Sequence, residues 1–136
     1  MIKKTYEFVS LNKRSILSFL IVGAIAAVIN FGTFAIFWSK LHYSYQVAVS
    51  FSFALAVFFH FHANRYFTFK SHHIRIQTQL PKYLGMIVIN YTITLLIMYL
   101  SIEIARLSPY IGNVIAIAAT VGIGYTISRL WVFAIK

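Results

Sequence analysis

Residues 15–39, "SILSFLIVGAIAAVINFGTFAIFWS", decide the class of this protein. These 25 residues contain no Asp, Glu, Lys or Arg. The hydrocarbon core of a bilayer is about 30 Å thick and takes roughly 20 helical residues to cross, because only a backbone that satisfies its own hydrogen bonds can pass through it. The stretch therefore reads as a membrane-spanning helix. "AIA" at 24–26, behind a basic amino-terminal region, resembles a signal cleavage site. The apolar run nevertheless continues unbroken through Trp38, as a retained span does.

Three further segments follow the same logic. Tyr45 to Asn64 ("YQVAVSFSFALAVFFHFHAN") is the most polar, with two histidines near its end, but leaving it out would strand many phenylalanines in water. Tyr83 to Ile102 ("YLGMIVINYTITLLIMYLSI") is the third. Pro109 to Ser128 ("PYIGNVIAIAATVGIGYTIS") is the fourth, with its proline suited to a helix start. The connections "KLHYS" and "EIARLS" are short, so each pair reads as a tight helical hairpin. The expected architecture is an all-α integral membrane protein of four transmembrane helices, arranged as two tandem hairpins in the same orientation. The expected organisation is one membrane domain over 1–136: hairpin one at about 15–64, a basic loop at about 65–82 and hairpin two at about 83–128.

Composition agrees. The chain is 60% hydrophobic with a mean hydropathy of +0.80, and 10% of its residues are charged. Soluble domains carry about a quarter charged residues. Twelve Lys and Arg stand against two acids, Glu7 and Glu103. Nucleic-acid binding would call for a basic cluster on a soluble face. Here the basic residues lie between apolar runs, which suits lipid head groups and phosphates and argues against a nucleic-acid partner. The chain has no cysteine, hence no disulfide framework and no thiolate metal site.

Orientation follows from where Lys and Arg fall. Lys3, Lys4, Lys13 and Arg14 precede the first span, Arg65, Lys70, Arg75 and Lys82 lie between the hairpins, and Arg129 and Lys136 follow the last. Only Lys40 and Arg106 lie on the other side. Both termini and the central loop are expected in the cytoplasm of a multi-pass protein of the cell membrane.

A shift of 64 residues lays Arg65 on Arg129, Phe69 on Phe133, and "FL" at 19–20 on "YL" at 83–84. "ANRYFTFK" at 63–70 and "SRLWVFAIK" at 128–136 are two versions of one phrase, each closing an apolar run. Asn30-Phe31 has a near counterpart in Asn90-Tyr91 once a few residues of offset are allowed. Internal repeats that frame a central site are a common transporter plan.

With "VGAIAAVINF" in the first span, "NRYFTF" ending the second and "SRLWVF" ending the fourth, the chain resembles the GtrA-like family over roughly residues 15–135. It departs from the family pattern in the two histidines of "HFHANRYFTF" and in Ser128, where the second phrase often has Asn. The resemblance implies a role in cell-surface polysaccharide or teichoic-acid glycosylation, in which members move a polyprenyl-phosphate-linked sugar, such as an undecaprenyl-phosphate hexose, across the membrane.

The residues themselves offer candidates. Arg65 and Arg129 could simply snorkel to head groups and fix topology. In the sharper reading the repeat brings both to the cytoplasmic mouth, where planar guanidiniums grip a phosphate through charge-assisted, often bidentate hydrogen bonds. Lys70 and Lys82 would add charge. Asn30, Asn90 and Asn113 are amides within spans, which need partners and are functional candidates. As helix–helix glue each would contribute about 0.6–2 kcal/mol. Asn30 and Asn90 could line the repeat interface, and Asn64 would end the second span and orient Arg65. His60 and Asn64, four residues apart, share a helix face, whereas His60 and His62 do not. A zinc site would want further ligands that the sequence does not supply, so no metal and no cofactor are expected. The stripes Ala48, Ser52, Ala56 and Ala116, Thr120, Gly124 suit close helix packing. The aromatics Phe58, Phe59, Phe61, Tyr66, Phe67, Phe69, Trp131 and Phe133 form an interfacial belt that could also stack on a hexose.

Three functions compete. The first is translocation of a polyprenyl-phosphate-linked sugar. The second is a non-transporting partner that recruits or stabilises a polyprenyl-phosphate glycosyltransferase. The third is a small multidrug exporter, which would need a membrane-embedded carboxylate, and Glu7 and Glu103 lie outside the expected spans. The same lack argues against proton coupling, so flipping would run downhill. An enzyme is not expected: the chain has no carboxylate pair, cysteine nucleophile or glycine-rich phosphate loop. Four helices leave little room to enclose a prenyl chain and a hexose, which favours a homo-oligomer.

Overall fold

The computed structural model describes the backbone of residues 2–135, and the side chains apart from those of residues 1–6, 45, 46, 48, 49, 109, 110, 113, 114 and 136. The side chains of Asn113, Ala48, Lys3, Lys4 and Lys136 thus lie outside the described residues.

The described backbone is helical, with no strand. It forms α1 (Ile2–Ala35), α2 (Tyr45–Ala63), α3 (Ile76–Tyr99) and α4 (Pro109–Ile127). Each runs directly into a five-residue π-helical turn: Ile36–Lys40, Asn64–Thr68, Leu100–Ile104 and Ser128–Val132. The chain divides into two compact units, Met1–Lys70 and Ser71–Lys136. In the first, α1 packs on α2; in the second, α3 packs on α4.

The correspondence at 64 residues runs through the backbone in detail. α2 and α4 begin and end 64 residues apart, as do the π turns that follow them. Ser44 and Ser108 cap the two helices, accepting from the amides of Val47 and Ile111. Each first-to-second-helix connection closes in the same way. Leu41 and Ala105 donate back to Ile36 and Leu100, Tyr43 and Leu107 donate back to Phe37 and Ser101, and His42 and Arg106 take left-handed φ of 54° and 52°. The cores match as well, pairing Phe19 with Tyr83, Val22 with Met86, Ser52 with Ala116, Phe61 with Tyr125 and Phe69 with Phe133, all buried.

Two bounds differ from expectation. α1 starts at Ile2, well ahead of residue 15, so a helix of 34 residues, roughly 51 Å at 1.5 Å per residue, outruns the bilayer core. Asn12 helps carry the helix through the polar stretch by donating to the Phe8 carbonyl at 2.7 Å. The expected loop at 65–82 is also largely helical, because the π turn extends α2 through Thr68 and α3 opens at Ile76. Pro81 lies inside α3, only one and a half turns in, where it forfeits one backbone bond without ending the helix.

Outward faces are apolar. Phe51, Phe53, Leu55 and Phe58 on α2, and Val88, Tyr91 and Leu95 on α3, are all more than half exposed or nearly so. Exposed apolar surface on this scale is that of a protein whose solvent is lipid. Three helical stretches, Glu7–Lys40, Ile76–Ile104 and Ile115–Val132, are long and apolar enough to cross a membrane. The molecule is an all-helical membrane protein.

Candidate functional site

Each repeated phrase turns out to be a π-helical turn. In the first, the Phe69 amide reaches back five residues to the Asn64 carbonyl at 2.9 Å; in the second, Phe133 reaches Ser128 at 2.8 Å. Such turns interrupt the regular helical ladder and recur at functional sites. Both opening residues, Asn64 and Ser128, are completely buried.

The first unit builds a polar cluster around Asn64. Its Nδ2 donates to the His60 carbonyl at 2.9 Å and lies 3.2 and 3.3 Å from the two nitrogens of the His60 ring. His60 in turn packs edge-on against Phe19, 5.5 Å between ring centroids. The Asn64 Oδ1 is buried with no hydrogen-bond partner among the described residues. An unpartnered buried carbonyl costs about 1–3 kcal/mol. Arg65 follows immediately and is only 8% exposed, its Cζ 5.5 Å from the Tyr66 ring centroid, within cation–π reach. Ser18 and Thr68 join their hydroxyls at 2.9 Å, tying α1 to the π turn. In the same unit an open apolar groove of about 620 Å³ runs along Phe58, Phe59, Tyr66 and Phe67.

The second unit uses different chemistry in the same frame. Ser128 donates to the Met86 sulfur at 3.0 Å. Arg129 is half-buried. Lys82 is half-buried on α3 and donates to the Trp131 carbonyl at 3.4 Å. The Trp131 ring lies over Gly85, and Gln79 is buried with its Nε2 on the Ser71 carbonyl at 3.2 Å and hydroxyl at 2.8 Å. Asn90 packs its amide against Gly124, and its Oδ1, like that of Asn64, is buried without a partner among the described residues.

The structure thus joins His60 and Asn64, with Arg65 next in the chain and against Tyr66, and it places Lys82 at the turn that carries Arg129. Lys70 is exposed, at a left-handed φ of 50°. Asn30 is half-buried on α1, roughly 18 Å along the helix from Ser18, and stands apart from the Asn64 cluster. Asn30 and Asn90 are related by an offset of four residues from the register, since the 64-residue shift pairs Asn30 with Thr94 and Asn90 with the buried Ala26. The bulky and small partners trade places between the units. His60 corresponds to Gly124, and Ala26 to Asn90.

Sequence reasoning passed over Ser18, Thr68, Gln79 and Ser71. The first two were within its reach, because the shift that aligns the arginines also lays Ser18 on Lys82 and Thr68 on Val132.

No curated protein matches the chain. The family model described as GtrA/DPMS, transmembrane domain, matches residues 18–133, which takes in both helical pairs and both π-turn phrases. The chain belongs to the GtrA/DPMS transmembrane domain family.

Proposed function

We propose that this protein moves a polyprenyl-phosphate-linked sugar from the cytoplasmic to the outer leaflet of the cell membrane, supplying a glycosylation reaction on the cell surface. Four spans with both termini in the cytoplasm would carry it, with a membrane-associated glycosyltransferase as its supplier. The observation that carries this reading is Arg65, an arginine only 8% exposed that follows a buried amide whose oxygen has no partner among the described residues, in a chain of the GtrA/DPMS family. Burying a fixed charge is expensive, and a phosphate is the partner a planar guanidinium holds best. Arg129 has the same place in the second π turn and is assigned the same kind of work. Asn64 and His60 hold Arg65 in place; Asn30 and Asn90 are assigned to the polar lining, and Lys70 adds interfacial charge. No covalent step is required of the chain, and consumption of the sugar outside gives the direction.

The test is transport in sealed vesicles with a labelled polyprenyl-phosphate hexose. The wild type should expose the sugar on the far leaflet, and Arg65→Ala with Arg129→Ala should reduce the rate at least about tenfold, equivalent to some 1.4 kcal/mol. Arg65→Lys should recover only part of it, since lysine keeps the charge but loses the bidentate fork. Movement no faster than in empty vesicles, with a glycosyltransferase co-purifying, would replace transport by recruitment.

A further inference from the structure

At the start of α3 the second unit holds a cleft of about 420 Å³ lined by His73, Thr78, Gln79, Lys82, Trp131 and Ile135 with their neighbours. That volume lies in the range of small-molecule sites, about 300–1,000 Å³, as does a mostly apolar lining with a few convergent polar groups.

The 64-residue register shows what is unusual about it. Lys82 corresponds to Ser18 and Val132 to Thr68. In the first unit those two hydroxyls meet at 2.9 Å and close the helix onto its π turn. Val132 has no hydroxyl to offer, and the Lys82 ammonium instead reaches the Trp131 carbonyl at 3.4 Å, its one hydrogen bond among the described residues. An ammonium carries three donors, so two point elsewhere. The whole chain contains two acids, and Glu103 follows Lys82 by 21 residues, roughly 30 Å at the helical rise. Lys82 is a half-buried side chain at the start of a membrane helix with no ion pair among the described residues, and its two remaining donors can hold an anion that enters the cleft.

The walls are fixed. Gln79, 1% exposed, pins the segment before α3 through both Ser71 oxygens. On the other side Trp131 rests on Gly85, 3.5 Å from where a Cβ would stand; the first unit has Ile21 at the matching position. An indole plane beside a hydroxyl and an ammonium suits a sugar ring that bears a phosphate.

We propose that this cleft is a binding site for a sugar phosphate, with Lys82 holding the phosphate and Thr78 and Trp131 facing the sugar. The choice of a sugar rests on the proposed function; the choice of an anion rests on Lys82 alone.

The full chain has two tryptophans, Trp38 and Trp131, so a Trp38→Phe background isolates the Trp131 fluorescence. In that background, glucose 1-phosphate should change the emission saturably and bind at least about tenfold tighter than inorganic phosphate. Lys82→Met should weaken it at least about tenfold, and Lys82→Arg, which keeps the charge, should bind within a few-fold of the parent. A polyprenyl-phosphate glucose that competes identifies the source as a lipid head group; failure to compete identifies a soluble sugar phosphate. No saturable change with either sugar phosphate, unaltered binding in Lys82→Met, or inorganic phosphate binding as tightly, would overturn the proposal. Vesicle transport measured on the same preparations separates the two readings. Transport without Lys82-dependent binding removes the cleft alone, and Lys82-dependent binding without transport removes translocation alone.

Discussion

Two glycines of α4 look alike in sequence and differ in what surrounds them. A Cβ on Gly112 would stand 3.1 Å from the Ser101 Cβ and 3.4 Å from the Met98 sulfur. Ser101 cannot swing away, because its Cβ is fixed to the backbone of a π turn. A Cβ on Gly124 would come closer still, 2.9 Å from the Asn90 Nδ2, but that atom is the far end of a rotatable side chain. Overpacking costs about 1–3 kcal/mol, and alanine recovers about 1 kcal/mol of helix propensity over glycine. Gly112→Ala should therefore lower stability by up to about 2 kcal/mol, while Gly124→Ala should be neutral or stabilising by up to about 1 kcal/mol. Chemical unfolding in mixed micelles checks both. A Gly124→Ala protein as unstable as Gly112→Ala would mean that the Asn90 amide is locked, and adding Asn90→Ala should then restore it.

Helices of this fold begin by one rule and end by another. Ser44 and Ser108 cap α2 and α4 through bonds of 3.4 and 3.3 Å, long for this class, so Ser44→Ala and Ser108→Ala should each cost near the low end of the usual range, about 0.5 kcal/mol. The two losses should agree, because the caps are equivalent; unfolding midpoints of the paired variants measure this. The helix ends use π turns, and after the first three the second residue on takes positive φ: His42, Lys70 and Arg106. The sequence made the hairpin connections and the 64-residue period legible, since apolar runs, a proline and a repeated Arg phrase mark them. It hid the π turns, because a wide turn differs from an α turn by one residue of hydrogen-bond register and leaves no compositional mark. It also hid the reach of α1 and α3. Polar residues from Ile2 to Arg14 and from Ile76 to Lys82 look like flanks to a hydropathy argument, yet nothing in them breaks a helix except Pro81, which stands close enough to the start to be borne. In the candidate site, the arginine phrases were visible, whereas the Asn64–His60 contact and the Ser18–Thr68 bond were not, because they depend on side-chain placement that spacing alone does not fix.

At the scale of the whole molecule the number of bilayer crossings sets where the two arginine phrases lie. α1, α3 and α4 contain stretches long and apolar enough to span, and α2 is not among them over the described residues. Three crossings would leave α2 on one side of the membrane with Phe51, Phe53, Leu55 and Phe58 each about half exposed or more. At about 25 cal/mol per Å² of apolar surface, four such side chains in water would cost several kcal/mol. Nineteen residues at 1.5 Å each also give roughly 28 Å, enough for the hydrocarbon core. Charge points the same way, with ten Lys and Arg expected on one side of a four-span chain and two on the other. The two counts make opposite predictions for the connections. With four crossings residues 43 and 107 lie on the same outer face; with three they lie on opposite faces. The chain has no cysteine, so single substitutions report cleanly. Tyr43→Cys and Leu107→Cys should both react with a membrane-impermeant maleimide on intact cells, and Ser10→Cys and His72→Cys only after permeabilisation. If Tyr43→Cys reacts from outside and Leu107→Cys does not, α2 does not cross, Arg65 and Arg129 end on helices of unlike topology, and translocation by equivalent arginines is lost with them.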